Sequence, residues 1–234
     1  LTNLVDIGLG YLSLDRPTDT LSGGESQRVK MVKHLNGSLV DVMYIFDEPS
    51  VGLHPRDVHR LNELLQRLRD RGNTVIVVEH DPDVIQAADH IIDVGPKAGS
   101  NGGQIVFEGT YAELLGADTL TGTHLKSHLP IKENPRPATG QLPITDAHIN
   151  NLKHVNVNIP AGVFTVITGV AGSGKSSLIN HVFLKQHPEA IVVDQSPIGV
   201  SSRSNPATYT GIMDVIRQAF ATANQADVAL FSFN

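Results

Sequence analysis

The chain has 234 residues, 40% of them hydrophobic and 18% charged, with a formal net charge of −6 and a pI near 6.0. That is enough for one large domain or two small ones, and it argues against a strongly basic nucleic-acid module while leaving room for a local basic patch. With no cysteine there are no disulfides and no thiolate metal sites, a composition that fits a reducing, cytoplasmic compartment.

The apolar runs are too short to cross a bilayer, so no membrane insertion is expected. No basic stretch followed by an apolar core opens the chain. It starts at Leu1 rather than Met, and we expect it to be a piece of something longer.

Residues 1–20 are a short apolar-periodic lead ending in the polar turn "LDRPTDT". "LSGGESQRVKMVKHL" (21–35) reads as a glycine turn opening a helix with a Val29, Val32, Leu35 stripe. "VMYIF" (42–46) is a short buried-type strand. In the segment "HPRDVHRLNELLQRLRDRG", Pro55 suits a first helical position, Val58, Leu61, Leu64, Leu65 and Leu68 form one face, and Gly72 is a stop. "TVIVVEHD" (74–81) is a second buried-type strand, "DPDVIQAAD" a capped short helix, "HIIDVG" and "GGQIVFEGT" two short strands, and "YAELLG" a helix turn.

Residues 116–142 are rich in Pro, Gly and Thr, lack periodicity, and read as a linker. "ITDAHINNLKHVNVNIPAG" then alternates like paired strands. "VFTVITG" reads as a buried strand feeding a glycine loop, "SSLINHVFL" as the following helix, "AIVVDQSPIG" as a further strand, and "IMDVIRQAFA" as a helix.

The chemistry concentrates in four places. "GVAGSGKS" (169–176) fits G-x-x-x-x-G-K-[ST] between a strand and a helix. Gly169, Gly172, Ser173 and Gly174 let backbone N–H groups converge on phosphate oxygens. Lys175 would bridge the β- and γ-phosphates, Ser176 would ligate Mg²⁺, and Ser177 follows. "MYIFDEP" is an apolar strand ending in two carboxylates: Asp47 would hold magnesium and Glu48 would orient and activate water. Adjacent strand residues point to opposite faces, so the strand must end here for both to reach one site.

Ser22, Gly23 and Gly24 open a helix with exposed N–H groups, a second anion-binding geometry. His80 stands at a strand end, where an imidazole can sense a γ-phosphate. The other ten histidines are scattered and read as surface or packing residues. Without cysteine or an H-x-x-x-H pair on a strong helix, they offer no clustered metal set.

The order is unusual, because the acidic strand lies more than a hundred residues upstream of the glycine loop. "LSGGESQR", "YIFDEPSVGLH" and "VIVVEHD" resemble the second half of an ABC-type ATPase: signature, Walker B, D-loop and switch histidine. "GVAGSGKSS" and "VVDQSPIG" resemble its first half: Walker A, then a Q-loop with Gln195. "DRPTDTLSGGESQR", "DEPSVGLHPRD", "RGNTVIVVEHD" and "DQSPIG…SRSNPATYTG" are similar to the UvrA family of excinuclease ABC proteins over nearly the whole chain.

The resemblance implies an α/β fold of the P-loop NTPase, ABC type, as two half-domains with mostly parallel sheet and flanking helices. Residues 1–115 would be the second half of one ATPase domain, 116–142 a linker, and 143–234 the first half of the next. The implied cofactors are ATP and Mg²⁺, the ion being held by Asp47 in one site and by Ser176 and Gln195 in the other. Zinc is left open for the full-length parent and is not expected in this chain, which ends at "FSFN" where the family's cysteine pair usually approaches.

The implied activity is ATP hydrolysis by the parent, in DNA-damage recognition during nucleotide excision repair. DNA, a UvrB-like partner and a second copy of the protein would be its partners. Two alternatives stand beside it: a UvrA-like ATPase conferring drug resistance or serving an export system, and a truncated fragment that binds nucleotide without turnover. "LKQHPEA" is a shorter connection than the repair protein would have, and no basic residue soon follows "PIG". Both are departures from the family pattern.

In the ABC sandwich the resemblance implies that Ser22, Gly23 and Gly24 face Lys175, while Asp47, Glu48 and His80 belong to another site. Against this stands a permuted single sheet with the strand at 163–168 beside those at 42–46 and 74–78. Unpaired strands are costly, and the sequence leans slightly to the permuted sheet or its domain-swapped equivalent. For DNA contact the basic candidates are Arg203 and the helical face Arg56, Arg60, Arg67, Arg69 and Arg71. Glu63 and Asp70 break up that face, which reads as solvated.

Overall fold

The computed structural model describes residues 2–21, 23–35, 40–127, 130–194 and 205–232. Two compact units divide the chain, Leu1–Pro188 and Glu189–Asn234.

The core of the first unit is organised by α3 (Pro55–Asp70). His54 caps it, Nδ1 accepting from the Arg56 N–H at 3.2 Å, and Pro55 begins it. The expected stripe of Val58, Leu61, Leu64, Leu65 and Leu68 is buried, each side chain contributing about 1.5–3 kcal/mol. Its four leucines pack with Ile7 and Leu9, which follow α1 (Thr2–Asp6), with Met31 of α2 (Gly23–Leu35), and with Tyr44.

Strands β1 (Met43–Asp47) and β2 (Thr74–Val78) pair in parallel, Met43 opposite Thr74 and Asp47 opposite Val78. Tyr44, Phe46, Val75 and Val77 face the core. Met43, Ile45, Ile76 and Val78 lie on the other face and are exposed. Buried Asn73 joins helix to strand: its Oδ1 accepts from the Val42 N–H at 3.1 Å and its Nδ2 donates to the Leu68 carbonyl at 2.9 Å.

After the short, Asp81-capped α4 (Pro82–Ala87), β3 (Ile91–Gly95) and β4 (Gln104–Gly109) form an antiparallel pair. Helix α5 (Tyr111–Gly116) opens with a Thr110–Glu113 capping box. Helix α6 (Leu120–Lys126) forms inside the stretch read as linker, its N-terminus capped by Thr119. Strands β5 (Gly140–Ala147) and β6 (Val155–Ala161) make a second antiparallel pair, broken by a bulge between Ile144 and Ala147.

Residues 163–168 and 191–194 form no hydrogen-bonded strand, contrary to the expectation from their apolar runs. Phe164 and Ile191 are each 93% exposed. A strand is stable only beside another, and among the described residues nothing pairs with either run. The expected permuted sheet is therefore not formed: β1 pairs with β2 and with no other described strand.

The helix after the glycine loop is π-helical over Ser177–Phe183, the Leu184 N–H reaching the Ile179 carbonyl five residues back. It continues as α7 (Leu184–Gln186). In the second unit Asn205 caps α8 (Pro206–Tyr209), and Gly211, at φ 75°, turns the chain into α9 (Ile212–Asn224). Helix α9 buries Ala221 and leaves Ile212, Val215 and Phe220 exposed.

Candidate functional site

The glycine loop follows the extended run 163–168. Gly169, Gly172 and Gly174 all have positive φ, at 149°, 74° and 99°. At Gly174 a Cβ would stand 2.8 Å from Asn151 Oδ1 and 3.0 Å from Leu152 Cδ2, and the positive φ itself favours glycine there. Asn151 Nδ2 donates to the Gly172 carbonyl at 2.8 Å, and Asn150 Nδ2 to Ser177 Oγ at 3.0 Å. Both asparagines come from the β5–β6 connection and brace the loop from one side.

Half-buried Lys175 curls back over the loop. Its Nζ donates to the carbonyls of Gly169 at 2.6 Å and Val170 at 2.8 Å. That ammonium stands over a glycine-lined curve of the kind that can receive phosphate oxygens, and a Cβ on Gly169 would lie 2.9 Å from Ser173 Oγ. Ser173 lies within the loop and Ser176 is exposed at its helix end.

The acidic strand ends at Asp47. Glu48 takes a left-handed conformation at φ 44°, with buried Pro49 behind it. The turn breaks strand alternation immediately after Asp47, and the Glu48 N–H still donates to the Val78 carbonyl at 2.9 Å. The Glu48 carboxylate lies 3.5 Å from His80 Nδ1, both groups substantially exposed. Asp47 is exposed too, and its carbonyl accepts from Gln27 Nε2 at 2.7 Å.

Glu79 stiffens this end of the strand. It accepts from the N–H groups of Ser50 at 2.8 Å, His80 at 2.9 Å and Asp81 at 3.1 Å. Burial pushes the Glu79 carboxyl up, but the hydrogen bonds from Ser50, Asp81 and His80 outweigh it and hold the group below the ordinary glutamate range.

The helix carrying the signature sequence is held to both neighbours. A Cβ on Gly24 would lie 2.7 Å from the Val51 carbonyl, so this glycine lets α2 approach the turn after β1. The Tyr11 hydroxyl donates to Glu25 Oε1, and Arg16 stands 3.9 Å from the same carboxylate. The Tyr11 ring also packs on the glycine loop, where a Cβ on Gly172 would lie 2.6 Å from it. Burial first, then the bond to Glu25, push the Tyr11 phenol up to about 12. Buried Arg28 lies under the same turn with Nε and Nη1 unbonded among the described residues.

Two groupings result. Glu48 and His80 meet at the end of β1 and β2, with Asp47 beside them in the chain. Tyr11 links Glu25, next to Gly24 at the start of α2, to Gly172 of the loop that carries Gly169, Ser173, Gly174, Lys175, Ser176 and Ser177, within one compact unit. Ser22, Gln195 and Arg203 lie outside the described residues. Three of the helical arginines are engaged in ion pairs: Arg60 with Asp57, Arg67 with Asp6, and Arg69 with Asp70 and Asp89.

Sequence reasoning passed over Tyr11, Gln27, Glu79, Asn150 and Asn151. Of these only Glu79, next to His80 at a strand end, carried a local signal.

No protein-family model matches the chain. It is 46% identical over 265 residues to UvrABC system protein A of Vibrio vulnificus strain YJ016, and 47% identical over the same length to that of Pseudomonas aeruginosa. Each match covers 99% of this chain and 28% of the relative. The crystal structure of UvrA2 from Deinococcus radiodurans superposes with a TM-score of 0.87 at 40% identity, over all of this chain and 31% of that one.

A complex of the archaeal ribosomal stalk protein aP1 and the recycling factor aABCE1 superposes at 0.51 with 20% identity, a likeness of fold alone. The chain thus spans under a third of the length of its UvrA relatives. The matched stretch is longer than the chain itself. By its motifs, its α/β architecture and these matches, the chain matches a segment of UvrA over nearly all of its own length and has the fold of ABC-type, P-loop NTPase domains.

Proposed function

We propose that the chain is the junction segment of a UvrA-like ATPase. Residues 1–115 act as the second half of one nucleotide-binding domain and 143–234 as the first half of the next, with 116–142 connecting them. The observation that carries this reading is Tyr11, which packs on Gly172 of the glycine loop while bonded to Glu25 of the signature helix. That contact supports a composite ATP site that brings the start of the signature helix to residues 169–177.

In this reading Lys175 exchanges its two loop carbonyls for phosphate oxygens, and Ser176 and Gln195 hold Mg²⁺. Asp47, Glu48 and His80 serve the other site, Asp47 on the metal, Glu48 on water and His80 on the γ-phosphate. Magnesium supplies charge neutralisation on the phosphates when bound. The parent protein, working as a homodimer in the cytoplasm with DNA and a UvrB-like partner, couples ATP hydrolysis to recognition of damaged DNA in excision repair.

A second reading, a UvrA-like ATPase of drug resistance, is favoured by one feature. Only four residues separate Gln186, the end of α7, from the run starting at Ile191.

Titration of the 234-residue chain with a fluorescent ATP analogue and Mg²⁺ tests the site. Binding lost in Lys175→Ala is expected, and binding that survives the substitution overturns it. For the role, the full-length protein should prefer damaged over intact duplex DNA in an ATP-dependent manner. Equal affinity for both would leave the drug-resistance reading in its place.

A further inference from the structure

The β5–β6 hairpin carries a cluster that neither the ATP site nor its proposed DNA role uses. Asp146, His148 and His154 each place a ligand-type atom within 4.8 Å of the other two. His154 Nδ1 lies 2.5 Å from Asp146 Oδ1, and His148 Nδ1 lies 3.5 Å from Asp146 Oδ2. The two imidazoles stack with centroids 5.3 Å apart. We propose that this cluster is a binding site for a transition-metal dication of the Zn²⁺ type.

The donor set argues for that class of ion. Imidazole nitrogen suits zinc, copper and nickel, whereas calcium and magnesium take oxygen donors. Three protein ligands leave a fourth position for water. Zinc bonds of about 2.0–2.1 Å at tetrahedral angles put ligand atoms roughly 3.3 Å apart. One ligand-type atom from each residue already lies within 4.8 Å of the other two, so rotamer adjustments bring the set to this spacing.

The backbone holds the three residues in place. Ile144 and Ala147 are buried on either side of the bulge. Asp146 at φ 49° and His154 at φ 51° are both left-handed, a costly conformation that persists only where the surroundings fix it. The Asp146 N–H donates to Asn156 Oδ1 at 2.9 Å, and Asn156 Nδ2 donates to the His154 carbonyl at 3.1 Å. Asn156 thereby ties the two left-handed residues together.

The contact between His148 Nδ1 and the Asp146 carbonyl, 2.7 Å, needs a proton on Nδ1, since a carbonyl only accepts. Nε2 is left as the free lone pair, the arrangement that orients ligating histidines. At His154 the cation takes the place of the proton shared with Asp146, and the imidazole keeps one on Nε2. All three side chains are well exposed to solvent, so an ion reaches them directly.

Calorimetric titration of the 234-residue chain with Zn²⁺ alone, and visible spectroscopy with Co²⁺, test the site. We expect one saturable Zn²⁺ per chain and the intense Co²⁺ bands of a four-coordinate complex. Affinity should fall at least ~10-fold in His154→Ala and in Asp146→Asn but not in His90→Ala, a histidine remote in sequence that pairs with Glu108. His154→Gln, checked for an unchanged circular dichroism spectrum, separates loss of a ligand from loss of the fold. No saturable binding, or binding that persists in His154→Gln and Asp146→Asn, overturns the proposal.

Discussion

The ring of Tyr11 occupies the space where a side chain on Gly172 would project, 2.6 Å from the Cβ position. An aromatic from the start of the chain therefore fixes a glycine loop some 160 residues later. In Gly172→Ala the new methyl meets the ring and the backbone must hold φ 74° without glycine's freedom, a strain of about 1–2 kcal/mol before any clash. ATP-analogue affinity is expected to fall roughly tenfold or more. Adding Tyr11→Ala should recover only part of it, because the clash is relieved and the dihedral strain is not. Full recovery would mean that conformation contributes nothing.

The same tyrosine gives an optical signal. Its phenol is pushed up to about 12, above the ordinary value of about 10, because burial and Glu25 disfavour the phenolate. The stabilisation is complete below pH 10 and is lost as pH rises through 12. Absorbance of tyrosinate should show a late step near pH 12 that vanishes in Tyr11→Phe. If the variant titrates like the parent, Tyr11 is not the late group.

Glu79 acts at the opposite end of the pH range. Its carboxyl is held below the ordinary range by the N–H groups it accepts from. Its contribution is full above the unfolded pKa of about 4.3 and disappears as pH falls through the lower folded value. Melting temperature should therefore drop between pH 5 and the acid limit more steeply in the parent than in Glu79→Gln. Parallel curves would refute this.

Much of this was legible locally. The α3 stripe could be read because five apolar residues repeat at helical spacing and all are buried. The glycine loop, the acidic strand end and the signature turn were legible because their chemistry needs fixed residues at fixed spacing. What escaped depends on distant partners. The run at 163–168 has the composition of a buried strand, but composition cannot say whether a neighbouring strand is present. Helix α6 was hidden in a Thr- and Gly-rich stretch. It forms because Thr119 caps it and because Gly122 fits where a Cβ would stand 2.4 Å from the Leu114 carbonyl. Tyr11 carried no pattern at all, and Asp146, His148 and His154 converge only through a bulge and two left-handed residues.

Asn73 gives a test of the core that is independent of nucleotide. Asn73→Ala leaves the Val42 N–H and the Leu68 carbonyl without their partner, at a cost of about 2–3 kcal/mol. The urea midpoint should fall with an unchanged denaturant slope. Asn73→Asp keeps the acceptor for Val42 but sets a carboxylate against the Leu68 carbonyl, so it should be no better than alanine. A near-neutral effect of either would show that α3 and β1 are joined by the leucine stripe alone.

Lys175 and Glu48 separate the two sites. Lys175 Nζ is already held by two loop carbonyls, so Lys175→Ala removes a pre-positioned cation and should weaken ATP binding at the site it serves. Glu48 is exposed at the end of β1 beside His80, so Glu48→Gln removes a base without disturbing a buried contact. In the full-length protein this second change should leave ATP binding intact, slow turnover and trap ATP at the other site. The two effects arise at different places, so the double variant should bind ATP at one site only and hydrolyse it slowly. Undiminished hydrolysis in the double variant, measured as phosphate release, would refute both roles at once. Loss of binding at both sites from Lys175→Ala alone would instead mean that the two sites are not separable.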